Sequence, residues 1–551
     1  MKSSFSLIFL VLLGVLGYLP GSAQQYFNKR YTLNSNSSII SGALEYKGRF
    51  YSTAISLDSS NYDIVSGGFF NRWGIRFTSY DGNGNILKDT IYQRKDRKFI
   101  DTWSNNLSVL SDGTFLLAAN AADTAVMFGQ YISYTCLLQF DSNGNLLNYK
   151  EFNRPYCLTS DATYHILFDF KPDVYGNWLM LSSMLCNGNK VVFNLRKLDN
   201  SFNEIWVKNF TTSSYHNIPK HLLIEDDGYL MTGGINNGNF KLHTDYYTSL
   251  IIKCDTAGNK LWDWQNTFDT TKLQYIINDI IRSKDGGYVY CGTGEGRPMY
   301  YATGEWADII TKGWVEKLDA SRNSVWKRPL GNAKASIKAT QQTVLKELPN
   351  GDIIVAGATV KLFNEEVETD GWIRGSLTRL SGVDGSIIWQ RLYKSPDNND
   401  TMYLSIYDMR PTADGGYILA GEAKNVIDRK AGPIQRGWLI KVDSNGCEWA
   451  GSPCNPTHIT PLQSGIAAGF AVYPNPSKGT ITITTPHAVI PTKEGTINTK
   501  VYDLLGRVVH QQNLSFSNND ATIELNLPSA TYILELRVKE GNVQRERIVI
   551  E

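Results

Sequence analysis

Asp414-Gly-Gly-Tyr-Ile-Leu-Ala-Gly421, followed across a loop by Gly437-Trp-Leu-Ile-Lys-Val-Asp-Ser-Asn-Gly446, is a turn, an apolar run, a second apolar run and another turn. Short apolar runs between Asp/Asn/Gly clusters read as strands, because Gly and Asn supply the backbone angles that a tight reversal needs. A single such unit would be a hairpin. The unit recurs along most of the chain, and the recurrence decides the fold.

Aligned on the small residue that ends the first strand, the copies are Ile64-Val-Ser-Gly67, Leu116-Leu-Ala-Ala119, Leu179-Met-Leu-Ser182, Leu230-Met-Thr-Gly233, Val289-Tyr-Cys-Gly292, Ile354-Val-Ala-Gly357 and Ile418-Leu-Ala-Gly421. A period of about 50–65 residues, with short strands and no amphipathic helical stretch, fits a propeller blade of four strands. The second half repeats as well: Asp199…Trp206, Asp255…Trp262, Asp319…Trp326 and Ser381…Trp389. The expectation is an all-β chain with a β-propeller of about seven blades. Each of these Trp residues should pack between neighbouring blades. Residues 25–60 should take part in ring closure, with an early strand completing the last blade.

The chain has 551 residues, 54 basic and 53 acidic. That balance argues against an electrostatic grip on nucleic acid or an anionic membrane. Residues 1–23 read as a signal peptide. Lys2 is the positive start, Phe5–Leu19 is apolar, and Gly21-Ser-Ala23 is a small-residue cleavage site, with cutting expected after Ala23. No later segment is apolar enough to cross a bilayer as a helix. The expected product is exported, with no transmembrane segment after cleavage. Seven cysteines leave at least one unpaired. Cys447 and Cys454, at the end of the repeats, are the candidate disulfide. Cys254 and Cys291 lie in apolar runs and read as buried fillers.

Composition shifts beyond the repeats. The reading is a propeller domain over 24–452, a linker over 453–466 and a small Ig-like β-sandwich over 467–551. Thr480-Ile-Thr-Ile-Thr484 alternates as a half-buried strand should, and about seven strands fit into the last 80 residues or so.

Two resemblances follow from these motifs. The spacing Asp255…Gly258…Trp262 resembles the tryptophan-docking repeat of propellers related to the pyrroloquinoline-quinone dehydrogenases, and also loosely repeating exported propellers of Bacteroidetes. No stretch matches the quinone or calcium motifs of those dehydrogenases, so no cofactor is carried over and none is predicted. The C-terminal residues resemble the type A C-terminal sorting domain of the Bacteroidetes type IX (Por) secretion system. The motif residues are Tyr473, Pro474, Asn475, Pro476 and Gly479, then Tyr502, Asp503, Gly506 and Arg507, then a last strand ending at the terminus. Ala530-Thr531 replaces the Gly that many relatives have before the Tyr, and Glu551 replaces a terminal Lys. The resemblance implies passage through the periplasm, recognition by the type IX translocon, cleavage by its sorting protease, and release or attachment at the outer cell surface.

Chemistry is harder to read. None of the seven His residues has metal-ligand spacing. His216 and His221 flank Pro219 in what reads as a polar turn, with exposed or locally bonded rings. There is no Gly-x-Ser-x-Gly elbow and no phosphate-binding loop. The Asp-x-Asn-Gly-Asn segments at Asp81 and Asp141 read as turns and not calcium loops, since Tyr92 and Phe152 stand where a bidentate Glu would be needed; no metal site is predicted. Binding candidates come from the longer connections Gly234–Thr248, Thr293–Lys312, Ala358–Asp370 and Glu422–Arg436, which occupy one step of the repeat and should share a face. The richest holds Glu295, Arg297, Tyr300, Tyr301, Glu305, Trp306 and Asp308, a mixture suited to sugar rings. The leading expectation is a non-catalytic binding module for a glycan or surface partner. The runner-up is a glycan-acting hydrolase or lyase on one propeller face, and the third reading is a structural adhesin.

Overall fold

A computed structural model of the chain describes residues 26–31, 37–58, 72–94, 96–100, 106–123, 133–152, 165–186, 190–211, 216–236, 247–265, 275–300, 306–330, 341–362, 371–394, 402–425, 435–448, 471–484, 496–503, 507–515, 520–537 and 543–551. The chain divides into two compact units, Met1–Ile459 and Thr460–Glu551.

The first unit is a propeller of seven four-stranded antiparallel blades. Blade 1 is Ser37–Tyr46, Arg49–Asp58, Arg72–Tyr80 and Ile86–Tyr92. Blade 2 has an inner strand in two pieces, Arg97–Ile100 and Leu107–Val109, then Phe115–Asp123, Ser133–Phe140 and Leu146–Phe152. Blades 3 to 6 have inner strands His165–Pro172, His216–Glu225, Tyr275–Arg282 and Gln341–Glu347, and outer strands Glu204–Phe210, Lys260–Gln265, Ser324–Leu330 and Ile387–Tyr393. Blade 7 is Met402–Pro411, Tyr417–Asn425 and Gln435–Val442. Its fourth strand comes from the other end of the sequence: Phe27–Tyr31 pairs antiparallel with Gly437–Lys441. The expected early strand therefore completes the last blade, while the rest of the segment to Asp58 opens blade 1. A ring closed by pairing the two ends leaves no blade incomplete.

The first repeat copy differs from the sequence reading. Ile64–Gly67 lie outside the described residues. In blade 1 it is Ala54 that pairs beside a bulge in the inner strand, opposite Ile40, as Gly233 does opposite Pro219 and Gly421 opposite Ile406. Ser52-Thr53-Ala54 is more polar than its counterparts, and its hairpin turns through Lys47-Gly48 without the Asp-Gly or Asn-Gly pair that marks five other copies, so the motif is hidden in the sequence. The small residue recurs because the bulge brings the inner strand close. A Cβ on Gly233 or Gly421 would stand 1.9 Å from the carbonyl oxygen of Ile218 or Ser405.

Two devices recur in blades 3 to 7. Within a blade, a cation on the third strand reaches the Asp of the first hairpin turn: Lys197–Asp173 at 3.1 Å, Lys253–Asp227 at 2.6 Å, Lys317–Asp285 at 2.6 Å, Arg379–Asp352 at 2.6 Å and Lys441–Asp414 at 2.8 Å. Between blades, an outer-strand aromatic ring lies over the turn of the next blade. Trp206 faces Gly258, Trp326 faces Gly385 and Trp389 faces Gly446, and in blade 4 Trp262 lies 4.5 Å from the Arg322 guanidinium. The Trp residues thus pack between blades, as their spacing indicates.

The second unit is a sandwich of a three-stranded sheet (Ala471–Tyr473, Thr480–Thr484, Asp520–Glu524) and a four-stranded sheet (Val508–Ser515, Thr496–Tyr502, Ala530–Arg537, Val543–Ile550). Its core includes Ile481, Ile483, Val501, Ile523, Leu534 and Ile548, the inward members of alternating strands.

Candidate functional site

The inner strands meet around the propeller axis, and in every blade but blade 2, whose inner strand is in two pieces, the inner strand carries one bulge. The bulged residues are Ser41, Phe168, Lys220, Asn278, Thr343 and Tyr407. A bulge turns an extra side chain out of the ladder, and here Lys220, Asn278 and Thr343 reach the neighbouring blade. Asn278 Nδ2 donates to the Gln342 carbonyl at 2.8 Å, and Thr343 Oγ1 donates to the Ile406 carbonyl at 2.9 Å. Lys220 Nζ lies 5.5 Å from the Phe168 ring centre. Within blade 7 the Tyr407 hydroxyl donates to Glu422 Oε1 at 2.5 Å.

The residue after the bulge is Asp in blades 3, 5 and 7. One oxygen of each accepts the next N–H of its own strand, at 2.9 Å for Asp169, Asp279 and Asp408. The other crosses to the next blade. Asp169 Oδ2 accepts from Leu222 N–H at 2.8 Å, Asp279 Oδ2 from Leu345 N–H at 2.8 Å, and Asp408 Oδ2 from Ala43 N–H at 3.2 Å. These buried carboxylates satisfy backbone donors at the free inner edge that no strand pairs.

His221 occupies the same position in blade 4, and here the sequence reading is corrected. It is neither exposed nor in a turn. It stands on an inner strand with Nδ1 3.2 Å from Asp169 and Nε2 2.8 Å from Asp279, and so links three blades. Lys171 Nζ lies 2.8 Å from Nε2 and 3.2 Å from Asp169. Pro219 suggested a turn, but Pro is admitted on an edge strand beside a bulge. Burial alone would raise the Asp279 pKa; His221 and Lys171 outweigh it and hold the carboxyl below its usual range.

The Asp-led turns are self-contained. Asp255 accepts from the N–H groups of Ala257 and Asn259 and from Asn259 Nδ2 at 2.7–2.9 Å. The same set recurs at Asp81, Asp141 and Asp199. These bonds account for the Asp and Asn of the repeat as turn residues.

Thr293–Lys312 is a strand hairpin and not a loop. Strands Tyr288–Tyr300 and Trp306–Leu318 are 13 residues each, the longest pair in the ring, and pair as far as Tyr300 with Trp306. Glu295, Arg297 and Tyr300 stand on the first strand, Trp306 and Asp308 on the second. Tyr301 and Glu305 lie outside the described residues. The apolar–polar alternation here was hidden by two bulges, between Gly294 and Arg297 and between Met299 and Tyr300. On the opposite, tight-turn end of the blades, a cleft of about 850 Å³ is lined by Arg410, Glu45, Ser108, Asp112 and Trp178 among others. Arg410 is held there by Asp408 at 3.1 Å and by the Leu107 carbonyl at 2.7 Å.

In the second unit the sequence motifs converge on the last strand. Asn475 Oδ1 accepts the Val549 N–H at 2.9 Å, the Ser477 N–H donates to the Val549 carbonyl at 2.8 Å, and the Glu551 N–H donates to the Ser477 carbonyl at 2.9 Å. The Tyr473-Pro-Asn-Pro476 segment therefore covers the outer edge of strand Val543–Ile550, which would otherwise lie open. Both X–Pro bonds of this segment are cis. Gly479 turns with φ +104°. Asp503 accepts from Arg507 N–H at 2.9 Å and Nε at 2.7 Å. Tyr502 donates to Glu535 at 3.4 Å. Gly506 lies outside the described residues. Residues 471–551 match the family model of the secretion system C-terminal sorting domain.

Residues 471–551 are a type IX secretion C-terminal sorting domain.

With its sorting domain the chain is marked for export to the cell surface or the medium, and for contact with the type IX machinery. No curated protein matches the chain. Among solved structures, the GH93 α-L-arabinofuranosidase of Fusarium graminearum is similar at 10% identity and TM-score 0.36, over 61% of this chain and 91% of that one. Synechocystis apocarotenoid oxygenase is similar at 10% identity and TM-score 0.38, over 76% and 94%. The α-L-arabinanase of Penicillium chrysogenum is similar at 13% identity and TM-score 0.32, over 62% and 92%. Likeness at this level says nothing of ligand or reaction. Among the described residues, no helix is long and apolar enough to cross a membrane, Cys254 and Cys291 are free and buried, and Cys136 is buried with its thiol directed to the Ala119 carbonyl. Cys447 is buried at the end of the last turn; Cys454 lies outside the described residues.

Proposed function

We propose that the chain is a type IX cargo whose propeller is a non-catalytic binding module, holding a glycan on a surface partner through the end of the blades that carries the extended hairpin of blade 5. The observation that supports this reading is how the axial carboxylates are engaged. Asp169, Asp279 and Asp408 each cap a backbone N–H of the next blade, so they tie the ring together and do not face a substrate as an acid–base pair. The hairpin Tyr288–Leu318 has the longest strand pair among the described residues and carries aromatic and carboxylate residues suited to sugars. Under the same proposal the signal peptide is cleaved after Ala23 and the sorting domain is removed by the sorting protease. Glycan-array binding of the secreted chain, beside a variant lacking Pro298–Ala307, tests it. Binding that disappears with the hairpin tip is the expected result, with no turnover of the bound glycan. Turnover would favour the hydrolase or lyase reading, and a silent array would leave the adhesin.

A further inference from the structure

Among the described residues, Lys220 is a cation on an inner strand with no anion opposite it. Lys220 is the bulged residue of blade 4, at the level where Asn278 and Thr343 reach across to their neighbours. Its ammonium makes no hydrogen bond or ion pair among the described residues; its one polar contact is the Phe168 ring face at 5.5 Å. The other lysines of the propeller interior are paired. Lys197 meets Asp173, Lys253 meets Glu225 and Asp227, and Lys441 meets Asp414. The nearby carboxylates Asp169 and Asp279 are taken by His221, Lys171 and backbone N–H groups. Lys220 is half-buried, reached by solvent while enclosed by the inner strands. An unpaired ammonium removed from bulk water is unfavourable unless an anion completes it.

We propose that Lys220 anchors a ligand on the propeller axis by an anionic group, a carboxylate, sulfate or phosphate. The cation supplies charge, and the Phe168 ring beside it supplies an apolar wall. An acidic saccharide meets both, which deepens the glycan reading; the anion site itself does not depend on it. Burial lowers the Lys220 pKa, so its amine loses its proton at a lower pH than that of an exposed lysine, and this difference gives a direct readout.

The test is competitive labelling of the full secreted chain with trinitrobenzenesulfonate, read by peptide mass spectrometry, with the exposed Lys208 as internal reference. Labelling is repeated in sodium glucuronate, sulfate, phosphate and glucose at matched ionic strength. The expected result is Lys220 modified several-fold faster than Lys208, and slowed several-fold by one or more of the anions but not by glucose. The protecting anion identifies the source, uronate, sulfated sugar or phosphate ester. Lys220→Arg should retain an anion-dependent rise in Tm, and Lys220→Gln should lose it. Lys220 labelled no faster than Lys208, or equally fast in every solute, overturns the proposal. If no glycan binds yet the anion protects Lys220, the anion site stands and the glycan reading falls. If glycans bind but Lys220 is indifferent, the reverse holds.

Discussion

His221 shows how one side chain can join three blades. Its two ring nitrogens face Asp169 and Asp279, on strands more than 50 residues away in either direction. Replacing it with Leu would leave two buried carboxylates short of a partner, and His221→Leu should cost about 3 kcal/mol in urea unfolding. Asp279 adds a pH dependence of fixed sign. Its folded pKa lies below the unfolded value of about 3.9, so its contribution is complete above that value and lost as pH falls through the lower folded one. Asp279→Asn should therefore flatten the acid limb of a stability-versus-pH curve without moving the neutral plateau's shape. Gly385 tests the inter-blade contact. It has φ +67°, and a Cβ there would stand 2.5 Å from the Trp326 ring. Gly385→Ala should cost roughly 1–2 kcal/mol from the left-handed backbone alone, and more if Trp326 is displaced. Cys447 and Cys454 are expected to pair. Peptide mapping without reduction should show them linked, and their reduction should cost about 2–3 kcal/mol for so small a loop.

At the scale of elements, the strand Phe27–Tyr31 has a larger effect than its five residues suggest. It completes blade 7, packs Phe27 over Gly84 of blade 1, and places Asn28 where the Trp438 indole donates to it at 2.7 Å. Deleting residues 26–31 opens a blade edge and exposes Trp438. A cooperative drop in Tm and a red-shifted tryptophan emission are the expected outcomes; an unchanged spectrum would mean that the ring closes without this strand. In the sorting domain the corresponding lock is Asn475. Asn475→Ala removes the acceptor for Val549, and faster hydrogen exchange of the Val549 and Glu551 amides should follow while Ile523 and Leu534 in the core stay protected. The paired strands also explain what the sequence could reveal. The second and third strands of each blade are regular and bounded by Asp-Gly or Asp-Asn-Gly turns, so their period was readable. The inner strands are broken by a bulge, and His216-Asn-Ile-Pro-Lys-His221 no longer alternates. That is why the segment around His221 reads as a turn in the sequence. A usable signal did exist: Lys197, Lys253, Lys317 and Lys441 each stand two residues before a turn Asp, and each proves to be the ion-pair cation of its blade.

At the scale of the whole molecule, an all-β propeller and an all-β sorting sandwich are carried on one chain, and the sequence by itself determined both. Turn chemistry, the Trp spacing and the Tyr473–Gly479 motif are local, acting over a few residues through backbone angles and nearest-neighbour packing. They survive in one dimension. The export route follows from the same local motif. What only the tertiary structure decided lies around the axis. From Phe168 onward the bulged residues are about 50–65 positions apart in sequence, each with ordinary neighbours, and they come together only when the seven blades close. The pairing of His221 with Asp169 and Asp279, the capping of inner-edge amides, and the solitary position of Lys220 depend on that closure. Charges buried near an axis gain or lose partners through distances that sequence spacing does not encode. The extended hairpin of blade 5 is intermediate: its residues were singled out from composition, but pairing across two bulges was needed to make them strands.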